Sequence, residues 1–276
     1  MGALFIVCVF TFVIHMTEAL AYCMRLAGVR VKQIAIAMAF VTSTLLISRL
    51  SNMIQAPFLG AMVDGAILEG GGVALAQLET QFRMVILAAF FGALMGAFLT
   101  PSVVVLFQKA IQRFQVTGSV PRLVLEALRP SVFIRILGTF RFPRFSSLRH
   151  LSFVGIPRQF LIINILVTSV YVIGVLCSLL AGAYLPELRA TAIQLSGIVN
   201  GIATVLFTIF VDPSGARITD QALNGQRPVA DVRSVVFGLQ MGKLLGILVF
   251  AQLLLGPFSR YIMWVTEWVA GMTILP

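Results

Sequence analysis

Four residues in the first apolar run carry groups capable of acid–base or anion chemistry. His15, Glu18, Tyr22 and Arg25 stand at relative positions 0, 3, 7 and 10, which on a helix puts all four on one stripe. A charged side chain at the centre of a membrane helix costs about 2.5–3.5 kcal/mol even on the lenient insertion scale, so the stripe faces a bundle interior or a wet cavity. His15 and Glu18 are the candidate coupling residues, a protonatable pair able to respond to a proton gradient or to hold a substrate's polar groups. The structural alternative is a hydrogen bond from Glu18 to Arg25 or His15 that locks helices together. A metal site is not expected, because His15 and Glu18 supply two ligands and no second pair of this kind follows.

The second run carries Thr42, Ser43, Thr44, Ser48, Arg49, Asn52 and Gln55 ahead of Pro57, Gly60 and Asp64. At 1.5 Å per residue Arg49 lies roughly 24 Å from the start of its helix, near the far side of the bilayer. Pro57 and Gly60 are expected to break or bend the helix and free backbone groups that must be satisfied inside the protein. A broken helix preceded by Arg49, Asn52 and Gln55 would suit an anionic headgroup; the alternative is an interfacial Arg49 that snorkels to water. Asn164, Gln194, Asn200, Gln240 and Lys243 add polar groups to later runs, each of which also fits ordinary interhelical hydrogen bonding.

These side chains are positioned by a chain whose solvent is lipid. Mean hydropathy is +1.01, with 59% hydrophobic and 11% charged residues, against about a quarter charged in soluble domains. Six apolar runs are long enough to span a bilayer: 3–22, 33–54, 84–107, 159–180, 191–211 and 235–255. The expected fold is an all-α polytopic membrane protein forming a single transmembrane domain over 1–276. It comprises a first three-helix half (1–107), a basic connection (108–158), a second half (159–255) and an interfacial tail (256–276) bearing Trp264 and Trp268.

Alternate loops 23–33, 108–158 and 212–243 hold 3, 9 and 4 of the 20 Lys and Arg. By the positive-inside rule these face the cytoplasm and both termini face outward. The net charge of +10 is then topological, and nucleic acid is not an expected partner. The first run lacks a preceding Lys or Arg and is followed by Arg25, Arg30 and Lys32, the reverse of a signal peptide, so it is expected to stay as a span. The basic connection alternates apolar residues with Arg122, Arg129, Arg135, Arg141, Arg144 and Arg149, broken by Pro121, Pro130 and Pro143. Short amphipathic helices on anionic phospholipid are expected there, with a solvated basic loop as the alternative.

An internal repeat is visible: Asn52-x-Ile54 with Val63-Asp64 recurs as Asn200-x-Ile202 with Val211-Asp212, a shift of 148 residues. Gly92 and Gly96 are echoed by Gly238, Gly242 and Gly246. Two halves of three spans must have opposite orientations, an inverted repeat of the kind transporters use. The alternative is that the glycines simply let helices pack closely. Missing are a Gly-rich phosphate loop ending in Gly-Lys-Ser/Thr, a Gly-x-Ser-x-Gly elbow and clustered aspartates for Mg²⁺, so neither catalysis nor a cofactor is expected.

The stretch from His15 to Asp64, HMTEALAYCMRLAGVRVKQIAIAMAFVTSTLLISRLSNMIQAPFLGAMVD, resembles the Amj family of bacterial lipid II flippases, alternates to MurJ. So do ETQFRMVILAAFFGALMGAFLTP, GSVPRL and NGIATVLFTIFVDP, in the same order and over most of the chain. The resemblance implies transport of undecaprenyl-pyrophosphate-linked sugar-pentapeptide across the bacterial cytoplasmic membrane for peptidoglycan synthesis. On that footing Arg25, Arg30 and Lys32 would meet the pyrophosphate at the inner entrance and Arg49 near the outer exit, with Asn52, Gln55 and Asn200 completing the binding set. His15, Glu18, Asp64 and Asp212 would couple or gate the cycle. Six helices are narrow for so large a headgroup, hence a homodimer is expected. Two other functions stay open: a carrier of a small ion or solute, and a scaffold recruiting cell-wall enzymes through the basic connection.

Overall fold

In lipid every backbone N–H and C=O must find a partner within its own segment, so long apolar runs become uninterrupted helices. The computed structural model describes residues 2–143 and 151–274, and the described residues include six helical stretches long and apolar enough to cross a membrane. The protein is an all-α polytopic membrane protein. Helix α1 (Gly2–Arg30) is followed by α2 (Ile34–Glu69) and α3 (Gly71–Thr117), then by the short α4 (Val120–Ala127) and α5 (Pro130–Leu137). The second half runs α6 (Arg158–Tyr184), a 3-10 turn at Pro186–Leu188, α7 (Arg189–Leu206), α8 (Asp212–Leu223), α9 (Val229–Leu245) and α10 (Gln252–Ile274). A π-helical turn, Phe207–Val211, joins α7 to α8 and another, Gly246–Ala251, joins α9 to α10. Spans five and six are therefore long helices with a wide turn in each.

Helix α1 is the hub. Its buried residues, from Val7 and Thr11 to Gly28 and Val29, surround much of the helix, because α1 packs on α2 and α3 and also meets α8 and α9 of the second half. Small residues allow that crowding. A Cβ on Gly96 would lie 2.7 Å from the Met16 carbonyl oxygen and 2.7 Å from the Ala19 Cβ. In the second half, a Cβ on Gly246 would lie 2.8 Å from the Ile165 carbonyl oxygen, with the Ser169 nitrogen at 3.5 Å. The third span of each half thus approaches its first span through a glycine. The paired positions are displaced by 149 or 150 residues, close to the shift read from the asparagine and aspartate matches.

Three expectations about the elements change. Pro57 does not break the second span, which continues as one helix to Glu69; proline forfeits one helical hydrogen bond, whereas a break would strand several groups in lipid. The fifth span does not stop at Val211 but turns through the π segment into α8. Residues 256–274, set apart above as a tail, continue the sixth span as α10, with Leu255, Ser259, Ile262, Thr266 and Ala270 buried along one face and Trp264 and Trp268 exposed on another. In the basic connection α4 and α5 are the short helices anticipated; Arg144 and Arg149 lie outside the described residues.

Candidate functional site

A lone carboxylate on α1 and a lone ammonium on α9 each face a large desolvation cost, and the fold removes both by pairing them. Lys243 Nζ donates to Glu18 Oε2 at 2.6 Å, with the Lys243 side chain 4% exposed. Ser48 Oγ on α2 donates to Glu18 Oε1 at 3.2 Å. His15 Nδ1 lies 3.4 Å from Glu18 Oε2 and is buried without a hydrogen bond. Glu18 therefore ties α1 to α2 and to α9, across the boundary between the halves. The alternative of a Glu18–Arg25 contact does not occur; Arg25 turns instead to Asp212 at the start of α8.

Two chambers adjoin this cluster. The first, about 110 Å³, is lined by Thr11, His15, Glu18, Ser48, Arg49, Asn52, Gln55, Tyr171 and Asn200 among others. The second, about 400 Å³, extends toward the basic end past Glu18, Tyr22, Arg25, Thr168, Thr204, Thr208, Asp212 and Lys243. Glu18, Ser48, Arg49 and Tyr171 line both. The walls are α1 and α2 on one side and α6 and α7 on the other, so the chambers lie between the halves. The stripe predicted on α1 does face this space.

The polar groups differ in how far they are satisfied. Thr11 Oγ1 donates to Gln55 Oε1 at 3.0 Å, and Gln55 Nε2 donates to Asn52 Oδ1 at 3.4 Å. Asn200 Oδ1 is buried and accepts no hydrogen bond. Arg49 makes no hydrogen bond or ion pair with any described residue, and it is exposed beside Leu46, Ile47, Leu50 and Met53. It thus stands midway along α2 with no carboxylate paired to it among the described residues.

Two ion pairs join the first two helices to the later ones, one in the lining of the larger chamber and one beyond the lining of either. At the basic end Arg25 of α1 meets Asp212 of α8, and at the opposite end Arg189 of α7 meets Asp64 of α2. Both aspartates come from the repeated Val-Asp motif. The π turn Phe207–Val211 immediately before Asp212 and Pro213 just after it set the approach of α8 to Arg25.

Of the residues singled out from sequence, His15, Glu18, Arg25, Arg49, Asn52, Gln55, Asn200 and Asp212 line the chambers. Asp64 stands at the far ion pair. Arg30 and Lys32 sit exposed at the α1–α2 turn and line neither chamber. Tyr171 and Arg189 carry no expectation from sequence and Ser48 only its place in the polar run of the second span, whereas Lys243, expected to fit interhelical hydrogen bonding, makes such a bond to Glu18. Lys243 had a usable signal, since a single lysine within the apolar run 235–255 must find a partner; Tyr171 carried none.

The family described as "Amj: Alternate to MurJ" matches residues 10–266. The chain is similar to the "Lipid II flippase Amj" of Bacillus subtilis (strain 168), at 38% identity over 266 residues, 96% of this chain and 97% of that one. No solved structure matches.

Proposed function

The chain belongs to the Amj family, and from that premise we propose that it is a flippase moving lipid II from the inner to the outer leaflet of the bacterial cytoplasmic membrane, with both termini outside. The observation that carries this reading furthest is Arg49, an unpaired guanidinium at the edge of the chambers, flanked by Asn52, Gln55 and Asn200. A pyrophosphate offers the paired oxygens that a guanidinium binds with two parallel hydrogen bonds. Asn200, which lines the smaller chamber, would offer its amide to a sugar hydroxyl. The polyprenyl tail stays in lipid beside the exposed apolar face of α2, so only the headgroup crosses the polar space. No covalent bond is made or broken, and the protein acts as a transporter rather than an enzyme.

The two cross-half ion pairs supply the gates. Arg25–Asp212 closes the cytoplasmic end and Asp64–Arg189 the outer end, and opening one while the other holds gives alternating access between inverted halves. Arg30 and Lys32 attract the anionic headgroup to the inner entrance. The His15–Glu18–Lys243 cluster joins the halves at mid-depth, where a change in the charge of Glu18 would release α9. A drug-sized ligand needs a cavity of about 300–1,000 Å³, so chambers of about 110 and 400 Å³ hold a pyrophosphate and a sugar but not also a pentapeptide. The halves must part for the rest, and a second copy of the chain would widen the path.

The test is complementation in cells depleted of other lipid II flippases. Arg49→Ala should abolish growth at normal protein level and Arg49→Lys should restore it in part; normal growth of Arg49→Ala contradicts the assignment. The small chambers and the buried cluster also suit a carrier of a small ion or solute. That reading predicts substrate-free proton or solute flux that is lost in Glu18→Gln while lipid II transport continues.

A further inference from the structure

Where α3 emerges at the basic end, α4 and α5 fold beside it and leave a cavity of about 620 Å³. Its cations come from three places in the chain: Lys109 and Arg113 on α3, Arg129 between α4 and α5, and Arg135 on α5. The acid in the lining, Glu126, accepts a hydrogen bond from Arg113 Nε at 3.1 Å. Among the described residues Lys109, Arg129 and Arg135 pair with no carboxylate. The cavity therefore gathers three unneutralised charges, and it does so against apolar wall residues such as Leu106 and Ile136.

The surroundings identify what would neutralise them. Lys109 follows two residues after Phe107, the end of the apolar run of the third span, so the cavity sits where hydrocarbon gives way to headgroups. Outside it, Leu125 and Leu128 are 67% and 68% exposed, and Ile134 on α5 is 67% exposed. Apolar side chains so exposed on short basic helices are stable against acyl chains, not against water. A soluble phosphate would satisfy the cations and leave these faces bare.

We infer that this cavity binds one anionic phospholipid of the leaflet at the basic end, its phosphate among Lys109, Arg129 and Arg135 and its acyl chains along α4 and α5. Basic pockets beside membrane helices recognise lipid headgroups in this way, each cation near an anionic surface contributing roughly fivefold. The site is separate from the chambers between the halves and does not depend on what they carry. Its occupant would fasten the connection between the two halves to the bilayer.

The experiment is native mass spectrometry of the full chain from mixed micelles of phosphatidylglycerol and phosphatidylcholine. One phosphatidylglycerol should be retained in preference to phosphatidylcholine. The triple variant Lys109→Gln, Arg129→Gln, Arg135→Gln should lower that retention by roughly tenfold or more. Glu126→Gln, which removes the acid from the lining, should raise it, a gain that misfolding does not mimic. Arg217→Gln, at the same end but outside the cavity, should leave it unchanged. Retention by the triple variant equal to wild type, an equal loss in Arg217→Gln, or complete displacement by inorganic phosphate would each overturn the assignment.

Discussion

Glu18 and Lys243 show how much one buried pair can decide. Removing one partner of a buried ion pair leaves an uncompensated charge, at a cost of about 3–5 kcal/mol, whereas removing both is close to neutral. Lys243→Met or Glu18→Gln alone should therefore lower the thermal stability of purified protein markedly. The double variant should regain most of it without regaining transport, and a double variant as unstable as the singles would show that the pair is not the main contact. Ser48→Ala should cost less, about 1.5–3 kcal/mol, as a single hydrogen bond to a charged acceptor. The sequence shows that Glu18 and Lys243 must be sheltered, because lipid cannot solvate them. It does not show that they shelter one another, because 225 residues separate them and only the packing of α1 on α9 joins them. Arg25 differs from expectation for the same reason: Glu18, about two turns back, is the acid on its own helix, whereas Asp212 lies 187 residues away.

The glycines of the spans divide into those that touch another helix, as in spans three and six, and those that meet open space, as in spans two and five. Gly96→Ala and Gly246→Ala each drive a methyl group against a neighbouring backbone, with an expected loss of about 1–3 kcal/mol. Gly60→Ala and Gly197→Ala meet open space within 4 Å and should be neutral or stabilising by up to about 1 kcal/mol. Thermal denaturation in detergent separates the two sets, and equal effects would contradict the packing. Helix identity and number were legible here because twenty apolar residues have few alternatives in lipid. Helix continuity was less so. Pro57 signals a local defect, but the bilayer penalises interruption more than it penalises one missing hydrogen bond. The π turns at Phe207–Val211 and Gly246–Ala251 leave no mark in composition or periodicity.

At the scale of the molecule, the two halves meet across the chambers and are held at either end by Arg25–Asp212 and Arg189–Asp64. Cysteines replacing Arg25 and Asp212, linked by a short bifunctional reagent, should hold the basic end closed and stop transport, with recovery on reduction of a cleavable linker. The pair replacing Asp64 and Arg189 should do the same from the opposite end; continued transport with either end linked would rule out alternating access. The repeated Val-Asp motif pointed to both aspartates, but their arginine partners lie in the other half and outside any repeat. The most direct test follows labelled lipid II in proteoliposomes, through its access to an enzyme on the far side, with wild-type and Arg49→Ala protein under imposed proton gradient and membrane potential. Transport by the wild type that is lost in well-folded Arg49→Ala is the result expected. No transport by folded wild type under any gradient, or undiminished transport by the variant, would contradict it.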